Sequence, residues 1–180
     1  VLGINIGKTK VVANEAALDD YAESATRLIA FYVVLFTVKA YDGDVESLSS
    51  AEPRGAGVRI IDQERVGYAS TTDMTDEGLD EVVAAARENA QHASADPAVE
   101  LAPSWDAAPD DIEGLVDASQ EDVDPDRKVA FALELERITR SFDPKIRTVE
   151  DALYSDSTSE VAIATSTGIS GAYRRTDAWC

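Results

Sequence analysis

The sequence predicts an α+β protein, a mostly antiparallel sheet carrying two or three packed helices. Three observations point there. Residues 31–70 read as short β-rich segments joined by tight turns, among them Asp42-Gly43, a dipeptide that supplies the positive φ angles of a two-residue hairpin. Two later stretches, opening near Thr75 and Asp124, carry apolar residues at steps of three and four behind strong capping residues. The last third returns to short alternating segments with polar interruptions.

Taken in order, Val1 to Gly7 is a candidate strand, and Asn14 can cap a helix through Leu28 on which Leu18, Tyr21, Ala25 and Leu28 share a face. Phe31 to Tyr41 is a strand rich in β-branched and aromatic residues, and Val45 to Ser50 is its returning arm. Gly55 to Asp62 and Val66 to Ser70 are two further strands joined at Gln63-Glu64. Thr72, Asp73 and Thr75 offer cap oxygens to a helix whose buried face is Leu79, Val82, Val83, Ala86 and Ala90; Asp76, Glu77, Asp80 and Glu81 suit its positive end. Residues 94–124 hold Pro97, Pro103 and Pro109 among many carboxylates, and no Lys or Arg falls between Arg87 and Arg127, so this is an acidic linker or lid. Asp124 followed by Pro125 starts the next helix; Phe131, Leu135, Ile138 and Phe142 mark its buried face, and Asp143-Pro144 ends it. Ile146 to Tyr154, Ser159 to Ser166 and Ala172 to Cys180 are three candidate strands, the last bearing Tyr173, Thr176 and Trp179.

Thirty-five acidic against sixteen basic residues leave a formal charge of −19 and a pI near 4.2. Such a surface repels phosphate backbones and anionic headgroups, so neither nucleic acid nor membrane is an expected partner. The most apolar run, Leu28 to Val38, is about half of the ~20 residues that cross a bilayer, and reads as a buried strand. The lone Cys180 excludes an internal disulfide, and no N-terminal stretch is ordered like a signal peptide; the expected compartment is the cytoplasm.

Candidate chemistry is sparse. His92 is the single histidine, near a helix C-terminus, where a solvated role is the plain reading; zinc sites and Ser-His-Asp systems need more. Gly3, Gly7, Lys8 and Thr9 fall short of a phosphate loop because the glycine spacing is wrong, and Gly55 and Gly57 lack the third glycine of a dinucleotide fingerprint and read as hairpin glycines. Gln120 to Asp126 lacks the glycine and terminal glutamate of a calcium loop. Asp42, Asp44 and Glu46, and the pair Arg174-Arg175, read as solvated strand faces. No catalytic, cofactor-binding or metal-binding residue is assigned.

The strings YDGDVESLSSAEPRGAGVRI (41–60), RVGYASTTDMTDEGL (65–79), KVAFALELERITRSFDPKI (128–146) and VEDALYSDSTSEVAIATSTGISGAYRRTDAWC (149–180) resemble the TldD/PmbA metalloprotease family, N-terminal domain, more on its PmbA (TldE) side. The resemblance spans about residues 38–180 and implies a domain over 31–180 with the acidic stretch inside it. It further implies a TldD/TldE heterodimer acting on peptides or unfolded polypeptide, with zinc held by the HExxxH helix of a TldD-type partner. This chain has no HExxxH, so the resemblance implies a non-catalytic modulator, without its own cofactor, in proteolysis or peptide maturation.

VLGINIGKTKVVANEAALDDYAESATRL (1–28) is similar instead to a strand–helix piece of quinone-linked dihydroorotate dehydrogenase, in which the asparagine matching Asn5 would contact flavin. Residues 1–30 are therefore expected as a separate segment. A flavin oxidoreductase fragment is one alternative function, although a (β/α)₈ barrel needs about 250 residues. A purely structural oligomerisation domain, pairing through its last strand, is another.

Overall fold

Alternation of apolar and polar side chains builds most of the chain in the computed structural model, which describes residues 2–6, 9–13, 25–104 and 112–180. β1 (Leu2–Ile6) and β2 (Thr9–Ala13) pair antiparallel, with Leu2 opposite Ala13. The remaining strands are β3 (Ala25–Tyr41), β4 (Asp44–Ala51), β5 (Arg54–Asp62), β6 (Arg65–Thr71), β7 (Ala152–Thr165) and β8 (Ser170–Trp179). They follow the order β6-β5-β3-β7-β8, with β4 also pairing β3. The helices are α1 (Asp76–His92), the one-turn α2 (Ala118–Glu121) and α3 (Pro125–Phe142). This is the predicted α+β class with antiparallel β3–β4, β3–β5 and β5–β6 pairs.

The chain divides into two compact units. The first comprises Val1–Tyr32, Pro53–Ile112 and Glu160–Tyr173, and the second Val33–Glu52, Glu113–Ser159 and Arg174–Cys180. In the first unit, α1 lays Leu79, Val82, Val83 and Ala86 on Leu28 and Ala30 of β3, Val58 and Ile60 of β5, and Ala162 and Ala164 of β7. All five predicted positions of α1 are buried. Its start is held by local hydrogen bonds: the Thr75 hydroxyl accepts from Gly78 N and donates to Asp73 Oδ1. Those bonds from Thr75 hold the Asp73 carboxyl below its ordinary range. Gly67 brings β6 against α1 without a side chain, since a Cβ there would sit 1.8 Å from Ala86 O.

In the second unit, α3 packs Ala132, with Val129, Leu133 and Leu135, on Phe36, Val38 and Ala40 of β3 and Ala152 of β7. The Asp42-Gly43 turn has φ of 52° and 83°, as the hairpin dipeptide requires, and Gly43 N donates to buried Glu136 at 2.9 Å. Asp124 caps α3 by accepting from Asp126 N at 2.8 Å, with Pro125 in its first turn.

Four expectations are corrected. Residues 25–28, read as the end of a helix, are strand: Thr26, Leu28 and Ala30 are buried in alternation with Arg27 and Ile29, and all pair with β5. The rest of that helix, 14–24, and Gly7 and Lys8 lie outside the described residues. The strands at Ile146 to Tyr154 and Ser159 to Ser166 are one strand, β7, because Ser155 and Asp156 are buried and satisfied there instead of turning. On α3 the buried face is rotated from the predicted one: Ala132 and Glu136 are buried, while Phe131, Ile138 and Phe142 are 48%, 50% and 84% exposed. Gly55 and Gly57 also lie within β5 and not at a hairpin.

Candidate functional site

The acidic positions singled out in the sequence are each engaged separately. Asp42 pairs with Arg140 Nη1 at 2.9 Å, Asp44 accepts from Val45 N, and Glu46 pairs with Lys39 Nζ at 2.9 Å. Lys39 also meets Asp151 at 2.8 Å, and these carboxylates hold its ammonium well above the usual lysine range. Asp117 caps α2 through Ser119 N. The acidic stretch is anchored within each unit: Asp96 N donates to Glu64 O, Thr167 Oγ1 to Ala102 O, and Thr176 N to Leu115 O. Residues 105–111 of that stretch lie outside the described residues. Arg175 pairs with Asp177, and Cys180 is an exposed free thiol.

Zinc does not fit these side chains. His92 is exposed in the last turn of α1, and among the described residues no three of His, Cys, Asp and Glu converge.

The second unit instead contains a buried polar network. Lys128 Nζ meets Asp156 Oδ2 at 2.6 Å with both side chains nearly buried, and lies 5.1 Å from the centroid of Phe36. Tyr154 donates its hydroxyl to the same Asp156 oxygen at 2.8 Å. Burial first, then the Asp156 carboxylate, pushes the Tyr154 phenol up to about 12. Ser155 Oγ donates to Phe36 O at 3.1 Å and accepts from Thr37 Oγ1 at 2.9 Å. These groups tie β7 to β3 and α3.

The first unit holds a cavity of about 550 Å³ on the sheet face opposite α1. Arg27 on β3 stands opposite Arg59 on β5, which stands opposite Tyr68 on β6. In the next row Ile29 faces Gly57, and Gly57 faces Ser70. The missing side chains of β5 make room for rings: a Cβ at Gly57 would be 2.7 Å from the Tyr68 hydroxyl, and one at Gly55 3.0 Å from Phe31 Cε1. Sequence reasoning passed over this site because its residues come from three strands and form no linear motif. The alternation of Arg27, Ile29 and Phe31 with buried residues was the available signal.

The two units are thus α+β packing scaffolds, one with an open basic pocket and one with a structural polar network. Residues 33–90 match the model of PmbA/TldA metallopeptidase domain 1, and residues 118–180 that of the PmbA/TldA metallopeptidase central domain. The chain belongs to the PmbA/TldD metallopeptidase family. The interval between the matches contains most of the acidic stretch.

Among solved structures, TldE from Thermococcus kodakarensis is similar over 91% of this chain and 36% of that one, at 16% identity and a TM-score of 0.77. A protein described as a modulator of DNA gyrase, from Bacteroides thetaiotaomicron, is similar over 91% and 37%, at 21% identity and a TM-score of 0.78. These establish the fold. The chain spans little more than a third of either.

Among curated proteins, quinone-type dihydroorotate dehydrogenase from Corynebacterium efficiens is 38% identical over 87 residues, 46% of this chain and 23% of that protein. The Mycolicibacterium vanbaalenii enzyme is 36% identical over 86 residues, 45% and 24% respectively. No helix among the described residues is long and apolar enough to cross a membrane.

Proposed function

We propose that this chain is the non-catalytic, TldE-like modulator portion of a cytoplasmic TldD/TldE zinc metallopeptidase system. In this reading residues 31–180 form a scaffold that docks a TldD-type subunit as a heterodimer. The partner holds the zinc and cuts peptide or unfolded polypeptide, in proteolysis or peptide maturation.

The observation that carries the docking role is the outer face of α3. Phe131, Ile138 and Phe142 follow the spacing of a buried helical stripe, yet they are 48%, 50% and 84% exposed. Large apolar side chains aligned on one helix face mark an interaction surface. The family match supports a TldD-type subunit as the partner. The test is to assay peptide hydrolysis and zinc content for this chain alone, for a TldD-type subunit alone and for their mixture. The reading expects zinc to accompany the TldD-type subunit, and hydrolysis to require it. Tightly held zinc in this chain, or hydrolysis by this chain alone, would overturn it.

The dihydroorotate dehydrogenase matches favour a second reading, a flavin-binding fragment. Against it, β1 and β2 pair antiparallel, whereas barrel strands run parallel. A flavin absorption spectrum in the purified protein would favour that reading over the modulator.

A further inference from the structure

Arg27 and Arg59 are direct cross-strand neighbours, a placement that is unfavourable for like charges. Both are half-buried, and neither meets a carboxylate among the described residues, in a chain whose formal charge is −19. Two adjacent guanidinium groups lining one cavity, with no carboxylate partner among the described residues, present an anion-binding surface. Around them the cavity offers further hydroxyl donors from Tyr68, Ser70 and Thr72 and apolar surface from Ile29 and the ring of Phe31. Its volume of about 550 Å³ suits a small ligand or the end of a chain.

We propose that this pocket binds the C-terminal carboxylate of a peptide whose last side chain is aromatic or aliphatic. The guanidinium forks of Arg27 and Arg59 match a planar carboxylate, and the Phe31 and Tyr68 rings over the glycine floor take the apolar side chain. Charge selects this ligand over others. The acidic surface repels polyanions such as nucleic acid, and the arginines repel cations, whereas a single carboxylate on an apolar body satisfies both. The pocket goes beyond the modulator reading and does not depend on it. A chain that binds such a peptide but not a TldD-type subunit keeps the pocket and loses the modulator role.

A free aromatic acid presents the same chemistry, so calorimetric titration of the full chain uses four probes. They are the peptide Gly-Gly-Ser-Leu-Phe with a free C-terminus, its C-terminal amide, 3-phenylpropionate and inorganic phosphate. The free-acid peptide is expected to bind at least about tenfold more tightly than the amide, and more tightly than 3-phenylpropionate or phosphate. Arg27→Gln and Arg59→Gln should each weaken the free-acid peptide by about tenfold while leaving the amide unchanged. Equal binding of acid and amide overturns the proposal, as does a tighter fit for phosphate or for 3-phenylpropionate. The acid–amide comparison is made on the unaltered protein, so it decides even where an arginine variant does not fold.

Discussion

Replacing Gly67 with alanine tests the contact that holds the first unit together. The added Cβ would lie 1.8 Å from Ala86 O, 2.4 Å from Ala90 N and 2.9 Å from Ala90 Cβ. Two of these atoms are helix backbone, so no side chain can swing aside. Restoring ordinary contact at 3.4 Å requires α1 to withdraw from β6 by about 1.6 Å, the difference between 3.4 and 1.8 Å. A gap of even 0.5–1 Å forfeits about a quarter to a half of the dispersion energy across a packed surface. Here the surface is the one that buries Leu79, Val82 and Val83. Overpacking costs about 1–3 kcal/mol, and obstruction by backbone places Gly67→Ala at or above about 3 kcal/mol. For a chain of this size that lowers the melting temperature by about 6–12 °C. Circular dichroism during thermal and urea unfolding measures it, with Gly171→Ala as the control because a Cβ there meets nothing within 4 Å. If Gly67→Ala unfolds within about 0.5 kcal/mol of the parent, α1 does not sit on β6 as described.

Lys128→Met leaves Asp156 buried with only the Tyr154 hydroxyl, and should cost about 3 kcal/mol; adding Asp156→Asn should recover much of it, since no unpaired charge remains. Urea midpoints of the single and double variants check this. The β5–β6 turn carries φ of 49° at Gln63 and 63° at Glu64 without a glycine, so Gln63→Asn with Glu64→Gly should stabilise by about 1 kcal/mol, read by the same denaturation. The Tyr154 phenol is raised from 10.0 to about 12, so its contribution is complete below pH 10 and is lost as pH climbs toward 12. In a spectrophotometric titration Tyr154 should contribute a late phase, and Tyr154→Phe should abolish that phase and blunt the alkaline loss of stability.

The elements most legible in the sequence are those whose cause is local. α1 and α3 start at side-chain caps, and the Asp42-Gly43 turn follows from backbone freedom at two residues. The errors arise where distant partners decide. Ser155 and Asp156 look like a turn because they are polar, but Phe36 O and Lys128 satisfy them inside β7. The later interruption does turn, since Gly168 adopts a φ of 97° and Thr165 bonds Ile169 across it. On α3, periodicity identifies two possible stripes, and only packing against β3 and β7 selects Val129, Ala132 and Leu133 over Phe131, Ile138 and Phe142. The Arg27–Arg59–Tyr68 row depends on strand register and has no linear signature.

The docking claim is tested most directly by sedimentation of this chain mixed with a TldD-type subunit, beside the same mixture containing Phe142→Glu. That side chain is 84% exposed, so the substitution should leave folding intact. A stoichiometric complex for the parent and its loss in Phe142→Glu is the predicted result. Two independently sedimenting species with the parent chain, or a complex indifferent to the substitution, would contradict the role given to α3.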